Sequence, residues 1–171
     1  MKKGERMNRE RIEETVRLWT SEPDKAKGRP TVIARAEKKR AVMEHGKFSW
    51  ETDLPVPLGG SNKAPSPTAL LLGSLAGCAV VFIRDTLAPQ LGVTLDAVEA
   101  TAECATDARG LLGMSGVAPD LSNIGLTIAL RSSEPEDAVR RVYQAWQERC
   151  PVYLALTKAL PVATTLEIKR A

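Results

Sequence analysis

The chain is poor in aromatics, has a single histidine and holds three cysteines in 171 positions, and each scarcity excludes a class of function. Aromatics make up 4% of the residues, too few to interleave with basic side chains as the stacking platform of a nucleic-acid surface. The formal charge of +3 is gathered at the start: residues 1–47 carry 14 Lys/Arg against 8 Asp/Glu, whereas the remainder carry 10 against 13. That distribution describes a solvated basic extension, and no nucleic-acid partner is expected. His45, just before a turn at Gly46, rules out any site that needs two imidazoles within one chain, and it reads as a solvated turn residue. Three cysteines do not make a disulfide framework. The opening MKKGERMNRERIEETV lacks the apolar core and small-residue cleavage site of a secretory signal. A cytoplasmic location is therefore expected, where any disulfide is transient and chemical.

Also absent is an unbroken apolar run long enough to span a bilayer. The most apolar stretch, LLLGSLAGCAVVFIRD, offers about fifteen uncharged residues from Ala69 to Ile83 once the proline-rich approach is set aside, short of the roughly 20 a span requires, and Arg84 and Asp85 follow at once. No membrane partner is expected. The length and the 43% hydrophobic content support one sizeable core.

What is present orders itself as follows. Ile12, Val16 and Trp19 recur at helical spacing on a charged background, so residues from about 5 to 20 read as a one-faced helix, followed by the linker SEPDKAKGRP. This divides the chain into residues 1–30, helix and linker, and residues 31–171, the main domain. TVIARAE and FSWETDL have strand composition, with a turn at His45-Gly46 between them. The loop PVPLGGSNKAPSP delivers the chain to Ser66-Pro67, an N-cap followed by proline at the first helical position. A helix of about twenty residues is expected from there to Arg84-Asp85, with Pro89 and Gly92 closing it. LDAVEATAEC and NIGLTIALR alternate like strands, EPEDAVRRVYQAWQERC is an amphipathic helix, PVYLALTKAL is a short helix opening with proline, and PVATTLEIKR reads as a closing strand. The grouping indicates an α+β fold with a long buried central helix, a second helix and antiparallel sheets.

A helix apolar all round must be covered on every side. Ala69, Gly73, Ala76 and Gly77 form a stripe without bulk that another backbone can approach, and a homodimer continuing the core across two copies of this helix is the natural cover. Cys78 lies mid-helix, where the dipole of its own helix has faded and burial raises a thiol's pKa; on residue type alone it is a packed core cysteine. Cys150 changes that weighing. It stands before the proline that opens a new helix, an N-cap position that favours a thiolate, and a thiol at a helix break beside a buried helix bearing another is the arrangement of a redox pair. Cys104, on an expected strand in AECATDARG, has no such context and reads as structural.

The stretches PSPTALLLGSLAGC and CPVYLAL, with the turn at Asp107 to Gly110 between them, resemble the OsmC/Ohr superfamily, the osmotically inducible and organic hydroperoxide resistance proteins. The resemblance extends roughly from Thr31 to Arg170. It implies an intertwined homodimer whose central helices are wrapped by sheets, with a peroxidatic cysteine at Cys78 and a resolving cysteine at Cys150. The implied substrate is an organic hydroperoxide and the implied reductant a dithiol such as dihydrolipoamide. An apolar pocket at Leu71, Leu75 and Phe82 would select alkyl chains. Two departures stand out: the glutamate expected ten residues before the first cysteine is Thr68, and Glu37 falls where one branch carries its activating arginine, leaving Arg35 and Arg40 as the candidates for thiolate support. The departures leave an alternative, a binding module for an apolar or thiol-bearing small molecule. No cofactor or metal is expected, since CATD and RGLLGMSG hold no paired ligands and GLLGMSG lacks the strand-to-helix setting of a phosphate loop.

Overall fold

A computed structural model describes residues 3–158 and 160–170, with side chains from Met7 onward. It opens with α1 (Lys3–Ser21), which lies against the C-terminal end of the long apolar helix. Strands β1 (Ile33–Glu37), β2 (Arg40–His45) and β3 (Phe48–Thr52) form an antiparallel meander. Strand β2 was not among the strands expected from composition, since its charged ends obscure a short apolar centre; Lys38, at φ 56°, makes the tight turn that lets it pair back on β1.

Opposing residues of the meander share faces. Ala34, Met43 and Trp50 line up on one side, continued by Phe48, while Arg35, Glu44, Arg40 and Glu51 occupy the other in two ion pairs. Phe48 is 62% exposed and Trp50 36%, so the apolar face is uncovered within the chain.

The connection into the next helix is tied by one buried carboxylate. Asp53 accepts hydrogen bonds from the backbone N–H groups of Leu54, Ser61 and Lys63 and from the Ser61 hydroxyl. The Lys63 N–H and the Ser61 hydroxyl do most to hold its carboxyl far below the usual carboxylate range. The loop closes so tightly that a Cβ on Gly60 would sit 1.8 Å from the Leu54 carbonyl oxygen.

Helix α2 (Pro67–Phe82) starts as expected, with Pro67 at its first position and the Ser66 hydroxyl accepting the Ala69 N–H at 3.2 Å. It does not stop at Arg84-Asp85. A widened turn over Ile83–Leu87, in which the Ala88 N–H reaches back to the Ile83 carbonyl, leads directly into α3 (Ala88–Leu91). Proline lacks an N–H and crowds the carbonyl four residues back; the wide turn absorbs Pro89, so the rod runs to Leu91. Gly92, at φ 69°, then ends it, with the Val93 N–H returning to the Ala88 carbonyl. Over Pro67–Leu91 the rod is as long and apolar as a membrane span, yet Leu75, Ala79, Ile83 and Leu87 pack into the protein core and Arg84 pairs with Asp85.

Strands β4 (Ala97–Ala105) and β5 (Ser122–Arg131) pair antiparallel and lay Val98, Ala100, Leu126, Ile128 and Leu130 on that core. Between them a short helix α4 (Ala108–Leu111) follows Asp107. Helix α5 (Glu136–Arg149) contributes Val142, Ala145 and Trp146 to the centre, and α6 (Pro151–Thr157) follows after a single intervening residue. The last expected strand does not form: residues 160–170 have no ladder partner among the described residues, and Val162, Leu166 and Ile168 are more than 80% exposed. Alternation supplies a strand's pattern, but pairing needs a free edge within reach.

Because Asp53 is held ionised, its contribution to stability is present above the unfolded carboxylate value of about 3.9 and is lost as pH falls below it. Asp53→Asn is expected to lower the melting temperature by roughly 5 °C at pH 7. Thermal melts followed by circular dichroism should show the gap to the parent protein narrowing at pH 3.

Candidate functional site

Two elements built for different reasons meet at two sulfur atoms. On α2 the buried face passes through Leu75 and Ala79, which places Cys78 at its edge, half-buried. On α5 the buried face ends at Trp146, one turn before Cys150. Pro151 cannot continue the helix and biases its predecessor to extended backbone, so Cys150 takes φ −71°, ψ 114° at the corner between α5 and α6. Its side chain is fully buried and makes no capping bond; it turns inward instead. The Cys78 and Cys150 sulfurs lie 3.1 Å apart, a thiol–thiol contact between residues 72 positions apart in the chain. A covalent disulfide is about 1 Å shorter, so a small approach would join them.

The surroundings hold Cys78 protonated. Burial, then the hydrogen bond and charge repulsion from Cys150, push its thiol up to about 11. One group opposes them: the Val152 N–H, in the first turn of α6, donates to the Cys78 sulfur. Among the described residues no cation acts on this thiol. Arg35 and Arg40 sit on the polar face of the first sheet, paired with Glu44 and Glu51 respectively. Thr68 is half-buried at the start of α2, where it lines a cavity of about 270 Å³ together with Leu58, Asp107, Leu111 and Pro119. The Asp107 carboxylate there is engaged by Arg109.

Of the residues expected to form an apolar pocket, Leu75 lines a cavity of about 300 Å³ with Leu126, Tyr143, Trp146, Tyr153 and Leu156. Phe82 packs on the central core and Leu71 is half-buried elsewhere on α2; neither lines this cavity. Cys104 is a free, half-buried thiol on β4, and His45 is exposed with its Nδ1 2.8 Å from the Thr31 carbonyl oxygen. Among the described residues no three His, Cys, Asp or Glu side chains converge as a metal site.

A model of the family described as OsmC-like protein matches residues 60–165. The chain belongs to the OsmC-like family. The matched stretch includes both thiols and every element that carries them, while α1 and the first sheet lie outside it. Solved structures agree on the fold. An OsmC-like protein from Mycoplasma pneumoniae superposes with a TM-score of 0.63 at 18% identity, covering 76% of this chain and 88% of its own. An organic hydroperoxide resistance protein OsmC from Legionella pneumophila gives 0.53 at 19% identity, covering 75% and 89%. One described as an organic hydroperoxide resistance protein, from Elizabethkingia anophelis, gives 0.53 at 15% identity, covering 75% and 88%. No curated protein matches the chain.

Sequence reasoning on this OsmC-like chain missed Val152, whose contribution is a backbone group and leaves no trace in residue type. It also missed Asp53 and Trp146. An aspartate ahead of a Gly-Gly loop and a tryptophan one turn before Cys-Pro were the available signals.

Alkylation of Cys78 by iodoacetamide is expected to climb with pH through the neutral and mildly alkaline range without a plateau below pH 10. Removing the neighbour with Cys150→Ala takes away two of the influences that raise the thiol's pKa, so the profile should shift to lower pH. Mass spectrometry of the Cys78 peptide reads both.

Proposed function

We propose that this OsmC-like protein is a thiol-dependent peroxidase that reduces organic hydroperoxides, with Cys78 as the peroxidatic and Cys150 as the resolving cysteine. The single observation that supports the pairing is the 3.1 Å contact between their sulfurs. The Cys78 thiolate attacks the distal peroxide oxygen, the O–O bond breaks, and the leaving alkoxide takes a proton to become the alcohol. Cys78 is then a sulfenic acid. The Cys150 sulfur displaces its hydroxyl as water, forming an intrachain disulfide, and a dihydrolipoamide-like dithiol restores both thiols by exchange.

At neutral pH a thiol titrating near 11 is ionised to roughly one part in ten thousand. Turnover therefore requires a further stabiliser of the thiolate, and Arg35 or Arg40 can serve only if the first sheet of a second copy comes over Cys78 and the arginine leaves its carboxylate. The raised thiol and Thr68 in place of a glutamate favour a second reading, a binding module for an apolar or thiol-bearing small molecule in which Cys78 packs or senses.

The working assembly is a homodimer. Gly73 and Gly77 have nothing within 4 Å of where a Cβ would stand, Val81 is 50% exposed beside them, and the apolar face of the first sheet is bare. Glycine inside a helix costs about 1 kcal/mol each relative to alanine, and a close backbone from a second copy offsets that cost.

Stopped-flow mixing with cumene hydroperoxide should consume thiol far faster than free cysteine does; a rate no better than free cysteine ends the peroxidase reading in favour of the binding module. Cys78→Ser should abolish turnover, and Cys150→Ser should leave a sulfenic acid that dimedone traps. Light scattering at micromolar concentration should return twice the chain mass of 18.5 kDa, and a monomer would contradict the dimer.

A further inference from the structure

Across the first sheet, the row Ala34, Met43 and Trp50 is followed on the same face by a row of small side chains, Ala36, Ala41 and Thr52. The step down in size leaves a groove of about 450 Å³ lined by Ala34, Ala36 and Ala41, with Leu54 and Pro67 from the connection into α2 beside them. The two-residue turn between β1 and β2 is Lys38-Lys39, and both lysines also line the groove. Lys38 sits at φ 56°, a left-handed conformation that hairpin turns ordinarily give to glycine or asparagine, so turn chemistry does not account for a lysine there.

The other charges around the groove are already matched. Arg35 and Arg40 pair with Glu44 and Glu51 across the sheet. Asp53, the acid in the lining, is 4% exposed and accepts from the Leu54, Ser61 and Lys63 N–H groups and the Ser61 hydroxyl. Lys38 and Lys39 are exposed and have no ion-pair partner among the described residues. Two uncommitted cations therefore border an apolar hollow that holds no free carboxylate.

We infer that this groove binds a small flat organic anion, its apolar body lying against the alanines and its charge held by Lys38 and Lys39. A volume of about 450 Å³ is within the range of small-molecule sites. Alanine carries a single methyl, so a hollow lined by three of them is even and suits a flat ring better than a folded chain. Lysine ammonium groups give an anion charge-assisted hydrogen bonds and repel a cation. Because both lysines are exposed, the attraction is screened, and binding weakens as ionic strength rises. The site is separate from the thiols, since Pro67 to Cys78 spans about 16 Å along α2, and it depends on neither reading of Cys78.

The probe is 2-naphthoate, compared with 2-naphthamide, which has the same shape without the charge. In the full-length protein labelled with 15N, naphthoate should move the backbone amide resonances of Ala36, Lys38, Lys39, Ala41 and Leu54, and bind about tenfold more tightly than naphthamide. Added sodium chloride should erase most of that difference. Replacing both turn residues, Lys38→Gln with Lys39→Gln, keeps the side-chain length and should bring the two probes to equal affinity. Naphthoate that leaves the hairpin resonances unmoved overturns the inference, as a groove covered by a second copy or an anion bound elsewhere would show. Equal binding of the two probes by the parent protein, a preference for naphthoate that salt does not reduce, or a doubly substituted protein that keeps the preference would each overturn it as well. The resonances and the salt dependence are read in the unsubstituted protein, so the test survives even if the variant folds poorly.

Discussion

The structure depends on the packing of the long apolar rod against the end of α5. Ala79, Ile83 and Leu87 from the rod meet Val142, Trp146 and Cys150 from α5 and its corner, all nearly or fully buried, and this cluster is the centre on which β4 and β5 are laid. Burial of such side chains contributes roughly 1.5–3 kcal/mol for each large one, so the meeting of these two helices is the chief source of tertiary stability in a chain whose first sheet packs on little else. The thiol pair is a consequence of that packing. Cys150 faces inward because the helix must end at Pro151, and Cys78 faces it because it follows Leu75 by one turn on the buried side.

The same burial sets the chemistry. Removing Cys78 from water disfavours the thiolate, and a second sulfur at contact distance disfavours it again, with only the Val152 N–H in opposition. Position and reactivity are thus opposed here. The geometry that makes disulfide formation a short movement is the geometry that keeps Cys78 neutral. Charge or hydrogen bonds supplied to the Cys78 sulfur would favour its ionised form.

The sequence made part of this legible. The Ser66-Pro67 start of α2, the break at Cys150-Pro151 and the alternation of β4 and β5 are local rules, and all three hold in the structure. The failures are where a local rule met a non-local one. Pro89 read as a terminator, but a wide turn ahead of it removes the clash and the rod continues. Residues 161–170 alternate as a strand should, yet among the described residues no strand edge pairs with them. Arg40–His45 lacks a strand's signature in its own six residues, because Arg40 and Glu44 belong to the ion-paired face of a sheet that only pairing with β1 and β3 creates. At the site, the two sulfurs were legible as residue types at helix landmarks. The Val152 N–H and the unpartnered Trp146 indole were not, since a backbone donor carries no letter and an unsatisfied group is known only once its neighbours are.

The open faces of the chain bear on that opposition between position and reactivity. Cys78 sits at the seam of α2, with Leu75 and Ala79 on the buried side and Gly77 and Val81 on the exposed one. Any surface that covers the exposed side also closes over the thiol. If that surface is apolar at this point, it adds desolvation and drives the thiol still further from ionisation. If it brings a guanidinium or backbone N–H groups, the low dielectric that now penalises the thiolate strengthens each of those contacts instead. The first sheet offers both kinds of surface, with Met43, Phe48 and Trp50 on one face and Arg35 and Arg40 on the other. Which of its faces, if either, comes to rest over Gly77 decides between the two readings of the site. An apolar cover fits the reading of Cys78 as a packed thiol, and a basic one fits the proposed peroxidase.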